Sequence, residues 1–296
     1  MSYEEFLEQI KRQIQERMGD GAAISVFQVR KNNGVLLDGL SILGQGDNLS
    51  PAIYLNGYYR EYLKGISLEE IGNRILDCYR REKKTGHFDM DILKNGNRVK
   101  TRIICRLINY EKNRILLRDV PYRRFLNLAI VYYYLMEDWG MGEASILVRK
   151  NFLPLWGMDT ETLHHTALAN TARLLPWDFL SLSEMFQETA CMEFREEEPK
   201  VPLYILTSQA KHYGAVWITD PHVRRLIGEK LGDDYYVLPS SIHECMILPA
   251  GLRPDPKELQ DMVREINLTQ VEPEEILADS VYRYERHTER LETAAE

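Results

Sequence analysis

Thr101-Arg102-Ile103-Ile104-Cys105-Arg106-Leu107-Ile108 alternates as a β-strand does: Ile103, Cys105 and Leu107 take one side, and Arg102, Ile104, Arg106 and Ile108 the other. Asn109 to Asn113 is turn-like, and beyond it Arg114, Leu116 and Arg118 alternate against Ile115 and Leu117. If Ile108 opposes Arg114, the two runs close a hairpin that places Arg102, Arg106, Arg114 and Arg118 on one face. The hairpin lies in a basic stretch. Arg80 to Arg124 holds fourteen Lys and Arg against five Asp and Glu, a net +9, inside a chain whose formal charge is −8. Such a split points to an anionic partner or to docking between unlike internal faces.

Downstream of the hairpin, the apolar run Leu126 to Leu135 reads as a central strand and Ala144 to Val148 as another. Asp159 to Leu174 reads as a helix with Leu163, Ala167 and Thr171 inward, and Ser181 or Ser183 begins a further helix. Val201 to Ser208 and Gly214 to Thr219 form strands around a turn. Asp220 caps a helix with Pro221 at its first position and Gly232 at its end. Asp234 to Leu238 and Glu244 to Leu248 are strands, Asp255-Pro256 starts a helix running to Asn267, and the tail from Glu285 is expected to fray.

Upstream, Ser2-Tyr3-Glu4-Glu5 is a capping box before a helix with Phe6, Ile10 and Ile14 on one face. Ile24 to Val29 and Val35 to Leu43 flank Lys31-Asn32-Asn33-Gly34, hairpin chemistry in which Asn-Gly tolerates positive φ. Pro51 starts a tyrosine-rich helix (Tyr54, Tyr58, Tyr59, Tyr62), Ser67-Leu68-Glu69-Glu70 caps the next, and Thr85-Gly86-His87 is a break. The whole is an α+β chain with mixed or antiparallel sheets and packed helices. A strand-turn-strand-helix unit is laid out twice, at Leu126–Val148 and at Val201 onward. The segments divide as 1–95, 96–195 and 196–296, with Arg195 to Pro199 as a charged linker.

At 296 residues, 44% hydrophobic and 28% charged, the chain has the composition of a soluble globular protein. Its longest apolar run, Leu126 to Met136, falls short of the ~20 residues a bilayer helix needs, so no membrane role is expected. The acidic start, Met1-Ser2-Tyr3-Glu4-Glu5, lacks the basic and apolar regions of a secretory signal. Cys78, Cys105, Cys191 and Cys245 are scattered without a C-x-x-C, which suits a reducing cytoplasm.

Chemistry-bearing motifs are sparse. Ser240-Ser241-Ile242-His243-Glu244 gathers hydroxyl, imidazole and carboxylate, the components of a nucleophile–base pair. In a strand Ser241 and His243 share a side but Glu244 does not. A Pro-Ser-Ser turn with local backbone bonds explains the segment as well. His243-Glu244 lacks the second histidine of a zinc helix, since Ile247 stands there, and His164-His165 read as two helix-surface residues. No metal site and no cofactor is expected: Gly44-Gln45-Gly46 lacks the third glycine of a dinucleotide loop, and no phosphate-loop G-K-[ST] occurs.

Several segments together resemble one known family. They are Lys31-Asn32-Asn33-Gly34 with Leu37-Asp38-Gly39, Pro51-x-Ile53-Tyr54-Leu55 with Tyr58-Tyr59, and Arg106-Leu107-Ile108-Asn109 with Asn113 and Val120-Pro121. Ala169-Asn170-Thr171 and Leu238-Pro239-Ser240-Ser241-Ile242-His243-Glu244 complete the set. The resemblance is to an uncharacterised bacterial domain-of-unknown-function family. It implies an intracellular bacterial protein of α+β architecture and carries no reaction. The functional expectation is a non-enzymatic binding or adaptor protein that holds an anionic ligand or protein partner on the Arg102/Arg106/Arg114/Arg118 face. A hydrolase or transferase centred on Ser240, Ser241, His243 and Glu244 is the alternative, and local nucleic-acid binding through the same arginines ranks below both.

Overall fold

The computed structural model describes residues 1–83, 90–136, 145–184 and 202–295. The chain divides into two compact units, the first within Met1–Ile92, the second formed by Leu93–Met136 and Ser145–Glu296. The architecture is α+β throughout, with antiparallel sheets and packed helices. Among the described residues, no helix is long and apolar enough to cross a membrane. The linker expected at Arg195 to Pro199 and the break at Thr85 to His87 lie outside the described residues.

In the first unit α1 (Tyr3–Met18) starts with a complete capping box between Ser2 and Glu5, and Phe6, Ile10 and Ile14 are fully buried. Strands β1 (Ala22–Arg30) and β2 (Leu36–Gly44) form the expected hairpin, with Asn33 (φ 58°) and Gly34 (φ 73°) taking the positive φ that the turn requires. Pro51 does not open a helix. Ile53–Tyr54 extends as β3 and pairs with β2 before α2 (Leu55–Leu63) and α3 (Leu68–Glu82) close the unit. Tyr58, Tyr59 and Tyr62 pack half-buried on this core, with Tyr59 against Phe6 and Tyr3.

The second unit carries α4 (Gly96–Val99), β4 (Ile103–Asn109), β5 (Arg123–Phe125), β6 (Leu128–Leu135) and β7 (Ser145–Leu147). β6 is central and antiparallel to its partners: β4 lies along one side, while β5 and β7 share the other, end to end. This corrects the basic hairpin. Arg114 to Arg118 is a turn leading into a 3-10 helix at Leu116–Arg118, and the partner of β4 is β6. β4 is buried at all seven positions, so its alternation separates two buried faces rather than core from solvent. Two helices follow, α5 (Phe152–Trp156) and α6 (Thr160–Leu174). The second lies on β4: Thr171 Oγ1 accepts the Cys105 amide at 2.9 Å, and Asn170 Nδ2 donates to Ile103 O at 3.0 Å.

A six-stranded antiparallel sheet completes the unit, built from β8 (Trp177–Ser181), β9 (Tyr204–Ser208), β10 (Tyr235–Leu238), β11 (Cys245–Pro249), β12 (Val281–Glu285) and β13 (Arg290–Ala295) in the order β13-β12-β10-β11-β9-β8. Helices α7 (Pro221–Leu231) and α8 (Pro256–Thr269) begin at the expected Asp-Pro caps. Trp177–Ser181, between the two expected helices, is a strand that no local pattern announces. Two expectations change. Gly214–Thr219 is a 3-10 helix, so the second copy of the strand-turn-strand-helix unit does not form. The tail does not fray: β12 and β13 make a hairpin whose outer strand is polar and half-exposed, which hid it from periodicity.

Side-chain amides join the four-stranded sheet to the segment leading into β12. Asn109 Nδ2 donates to Leu277 O (3.0 Å) while its Oδ1 accepts the Lys112 amide (2.9 Å), and Asn127 Nδ2 donates to Ser280 Oγ (2.7 Å). Asn109→Ala leaves a buried carbonyl and a part-buried N–H without their partners. It is expected to cost about 1–3 kcal/mol, read as a lowered urea midpoint at unchanged m-value.

Candidate functional site

The four arginines of the basic segment separate into two places. Arg102 Nε donates to Leu135 O at 2.9 Å, which ties the start of β4 to the end of β6. Arg106 points into the unit, donating from Nη2 to Ser145 Oγ at 2.9 Å. Its guanidinium lies between two tyrosine rings, 4.1 Å from the Tyr133 centroid and 3.4 Å from that of Tyr213. Arg114 and Arg118 stand exposed on the loop between β4 and β5. The shared face expected of Arg102, Arg106, Arg114 and Arg118 does not exist: Arg106 lies in the doubly buried strand β4, Arg102 is half-buried in the bend before it, and Arg114 and Arg118 belong to a surface turn.

The inner cluster brings Arg106 to the Ser240–Glu244 segment. Tyr213 sits in the turn after β9 with φ 54°, and Lys211 in the same turn has φ 59°. Left-handed backbone at two non-glycine residues persists only where surrounding bonds impose it. Here Ser208 Oγ donates to His212 O (2.7 Å), while the Gly214 amide (2.8 Å) and Thr207 Oγ1 (3.1 Å) both donate to His243 O. Gly214 is required by the close approach: a Cβ there would lie 2.2 Å from Ser208 N. Opposite, residues 239–242 run beside 275–278, with Leu277 N donating to Ser240 O (2.9 Å) and Ile242 N to Glu275 O (2.9 Å). That pairing sets the Glu275 carboxylate across from the His243 ring.

His243 Nε2 is 3.4 Å from Glu275 Oε1, and its Nδ1 accepts the Tyr213 N–H at 3.3 Å. Accepting at Nδ1 leaves the ring proton on Nε2, facing the carboxylate. The ring of Tyr213 lies 4.9 Å from that of His243, and His212 stands edge-on to His243 at 5.3 Å. Ser241 Oγ accepts the backbone N–H of His243 at 3.1 Å, and Ser240 is buried beside Leu277. Both imidazole nitrogens are thus engaged, neither by a serine, and the nucleophile–base pair is not assembled. Glu244 is half-buried and its carboxyl is pushed up by desolvation, against the pull of His243 and Lys211; Lys211 itself bridges to Asp178 at 3.0 Å. No group of three or more metal-ligating side chains occurs among the described residues. His164, expected on a helix surface, is buried with its Nδ1 3.1 Å from Tyr132 Oη, whereas His165 is exposed.

The outer cluster follows from the sheet. β5 and β7 meet end to end beside β6, so the loop before β5 and the segment after β7 come together. Lys150 N donates to Asp119 O (3.0 Å) and Lys150 Nζ to Arg118 O (2.6 Å). Arg118, Arg149 and Lys150 are therefore neighbours, all exposed, and Arg114 lies one loop turn away. Arg124 is exposed on β5 with its guanidinium 4.4 Å above the Tyr110 ring. Arg114 pairs with Glu111 at 3.4 Å and Lys112 approaches Asp279 at 3.9 Å, but Arg118, Arg124, Arg149 and Lys150 make no ion pair among the described residues. Sequence reading found Arg114 and Arg118 and missed Arg149, Lys150, Tyr213 and Glu275. Those residues become neighbours through strand pairing and turn geometry, which leave no local motif.

The fold and the two clusters define an α+β protein with an exposed basic junction and a part-buried cation–aromatic–imidazole centre around the buried Arg106. The chain belongs to DUF5688, a family of unknown function whose profile spans residues 3–286. No curated protein and no solved structure matches it significantly.

The Glu275 carboxyl is held below its ordinary 4.5, first by the hydrogen bond from His243, then, against the opposing effect of burial, by the charges of His243 and His212. A lowered folded value means that the unfolded chain takes up the proton first. The associated stability is present above about pH 4.5 and is lost as pH falls through the lower folded value. Because the Glu275 side chain is 43% exposed, the contribution stays under about 1 kcal/mol. Glu275→Gln is expected to flatten this limb of the urea-midpoint profile between neutral pH and pH 3; an unchanged profile excludes the pairing.

Proposed function

We propose that this protein binds an anionic partner, and that the contact surface is the basic junction of Arg114, Arg118, Arg124, Arg149 and Lys150 rather than the single strand face first expected. The observation that carries the reading is the bond of Lys150 to the Arg118 carbonyl, which joins two basic segments distant in sequence into one exposed patch. Four cations of that patch have no carboxylate partner among the described residues. Their charge is therefore directed at solvent or at a ligand rather than neutralised in place. Arg102 and Arg106 serve the patch indirectly, by fixing β4 and β7 against β6. A binding or adaptor role follows, in a bacterial cytoplasm, which suits the free thiols of Cys78, Cys105 and Cys245.

Heparin offers a simple polyanionic probe. A chain of net charge −8 is retained on immobilised heparin only through a local basic surface. The wild-type protein is expected to bind at low salt and elute as salt rises, whereas Arg118→Glu/Arg149→Glu, two exposed changes, passes through unretained with its thermal unfolding unaltered. Equal retention of the two proteins contradicts the assignment of the patch.

A further inference from the structure

The first unit has a sheet face that its helices leave open. Ala22, Ile24, Leu40, Ile42 and Ile53 point from β1, β2 and β3 into the core formed with the helices. The alternate positions point the other way. Across that outer face one row runs Phe27, Gly39, Tyr54, a residue from each strand, because Phe27 is registered with Gly39 and Gly39 with Tyr54. The glycine is required by close approach: a Cβ there would lie 3.2 Å from Phe27 Cζ and 3.3 Å from its Cε2, so the ring leans across the bare backbone. Phe27 is nevertheless 39% exposed, and neither it nor Tyr54 belongs to the core beneath the sheet.

The surroundings of this row are cationic and polar. Lys31 holds its ammonium over the Tyr54 ring, 4.3 Å from the centroid. In the adjoining row the exposed hydroxyls of Ser25 and Ser41 bond each other at 2.7 Å and keep hydrogen-bonding capacity for a further group. β1 and β2 turn no carboxylate to this side. Their one acid, Asp38, accepts the Tyr3 hydroxyl on the helix side at 2.8 Å. Lys31, Gly39 and Tyr54 come from three of the segments singled out in the sequence, Lys31–Gly34, Leu37–Gly39 and Ile53–Leu55, and none of these has a part in the basic junction.

Two rings flanking a residue without a side chain leave a shallow floor that accepts a flat π-system. An ammonium at its margin, with no carboxylate on the strands beside it, favours a π-system that carries phosphate. Bases stacked on aromatic side chains, with cations along the backbone, are the general means by which single strands are held. We infer that this face is a stacking platform for single-stranded nucleic acid, with Phe27 and Tyr54 taking bases and Lys31 a phosphate. All its residues belong to the first unit, and none is shared with the basic junction.

Fluorescein-labelled oligo(dT), oligo(U) and an abasic oligomer with the same number of phosphates are the probes, read by anisotropy with the full chain. At least one base-bearing oligomer is expected to bind more tightly than the abasic one, and the tighter of the two identifies DNA or RNA as the partner. Phe27→Ala is expected to weaken that binding roughly 5- to 150-fold while leaving the abasic oligomer unaffected. Phe27→Leu, which keeps an apolar side chain, gives the same loss should the alanine change disturb thermal unfolding, and Phe27→Trp retains binding. Arg118→Glu/Arg149→Glu keeps the preference for bases, which separates failure of this platform from failure of the basic junction. Absence of binding, equal binding of abasic and base-bearing oligomers, or Phe27→Ala and Phe27→Leu proteins that bind as tightly as the wild type each overturns the proposal.

Discussion

The guanidinium of Arg106 is the constraint on which the second unit depends. β4 is buried on both faces, and a charged side chain in such a strand must find its compensation inside the protein. Arg106 finds it between the rings of Tyr133 and Tyr213 and at the Ser145 hydroxyl. A desolvated cation–π contact contributes about 2 kcal/mol or more. The consequence is positional as much as energetic. Tyr133 belongs to the central strand of the four-stranded sheet, Ser145 to its short neighbour, and Tyr213 to the left-handed turn leaving the six-stranded sheet. One side chain fixes the three against each other. Tyr213 then presents its amide to His243, and His243 presents its remaining nitrogen to Glu275.

This inward use of Arg106 changes how the basic segment is understood. Composition treats its cations as equivalent, yet their environments divide them. Arg102 and Arg106 are consumed by backbone, hydroxyl and ring partners, while Arg118 shares the surface with Arg149 and Lys150, which come from beyond the basic stretch. The outer patch exists because β5 and β7 occupy the same side of β6.

Much of the helical framework was legible from local signals. Ser2 with Glu5, Asp159, Asp220-Pro221 and Asp255-Pro256 act within one turn of the chain, and each stands where a helix begins. Asn33-Gly34 likewise specified its hairpin through backbone conformation alone. What failed were inferences about partners. Arg114 to Arg118 alternates like a strand, but β6 supplies the pairing that β4 needs, and the intervening loop coils. Gly214 to Thr219 is apolar and β-branched, yet the missing side chain of Gly214 lets the chain turn back on Ser208 into a 3-10 helix. In the Pro-Ser-Ser segment, the nearness of Ser241 to His243 in sequence suggests catalysis; the actual partner of the imidazole, Glu275, is thirty-two residues on and carries no motif.

The central claim is that Arg106 and Tyr213 are energetically coupled and together hold the turn after β9 in place against the four-stranded sheet. A double-mutant cycle with Arg106→Met, Tyr213→Leu and the double variant, followed by urea unfolding, measures that coupling directly. The account predicts an interaction energy of about 1–2 kcal/mol, so that the second substitution costs little once the first is made. Strictly additive losses would contradict it and reduce the stacked geometry to coincidental packing.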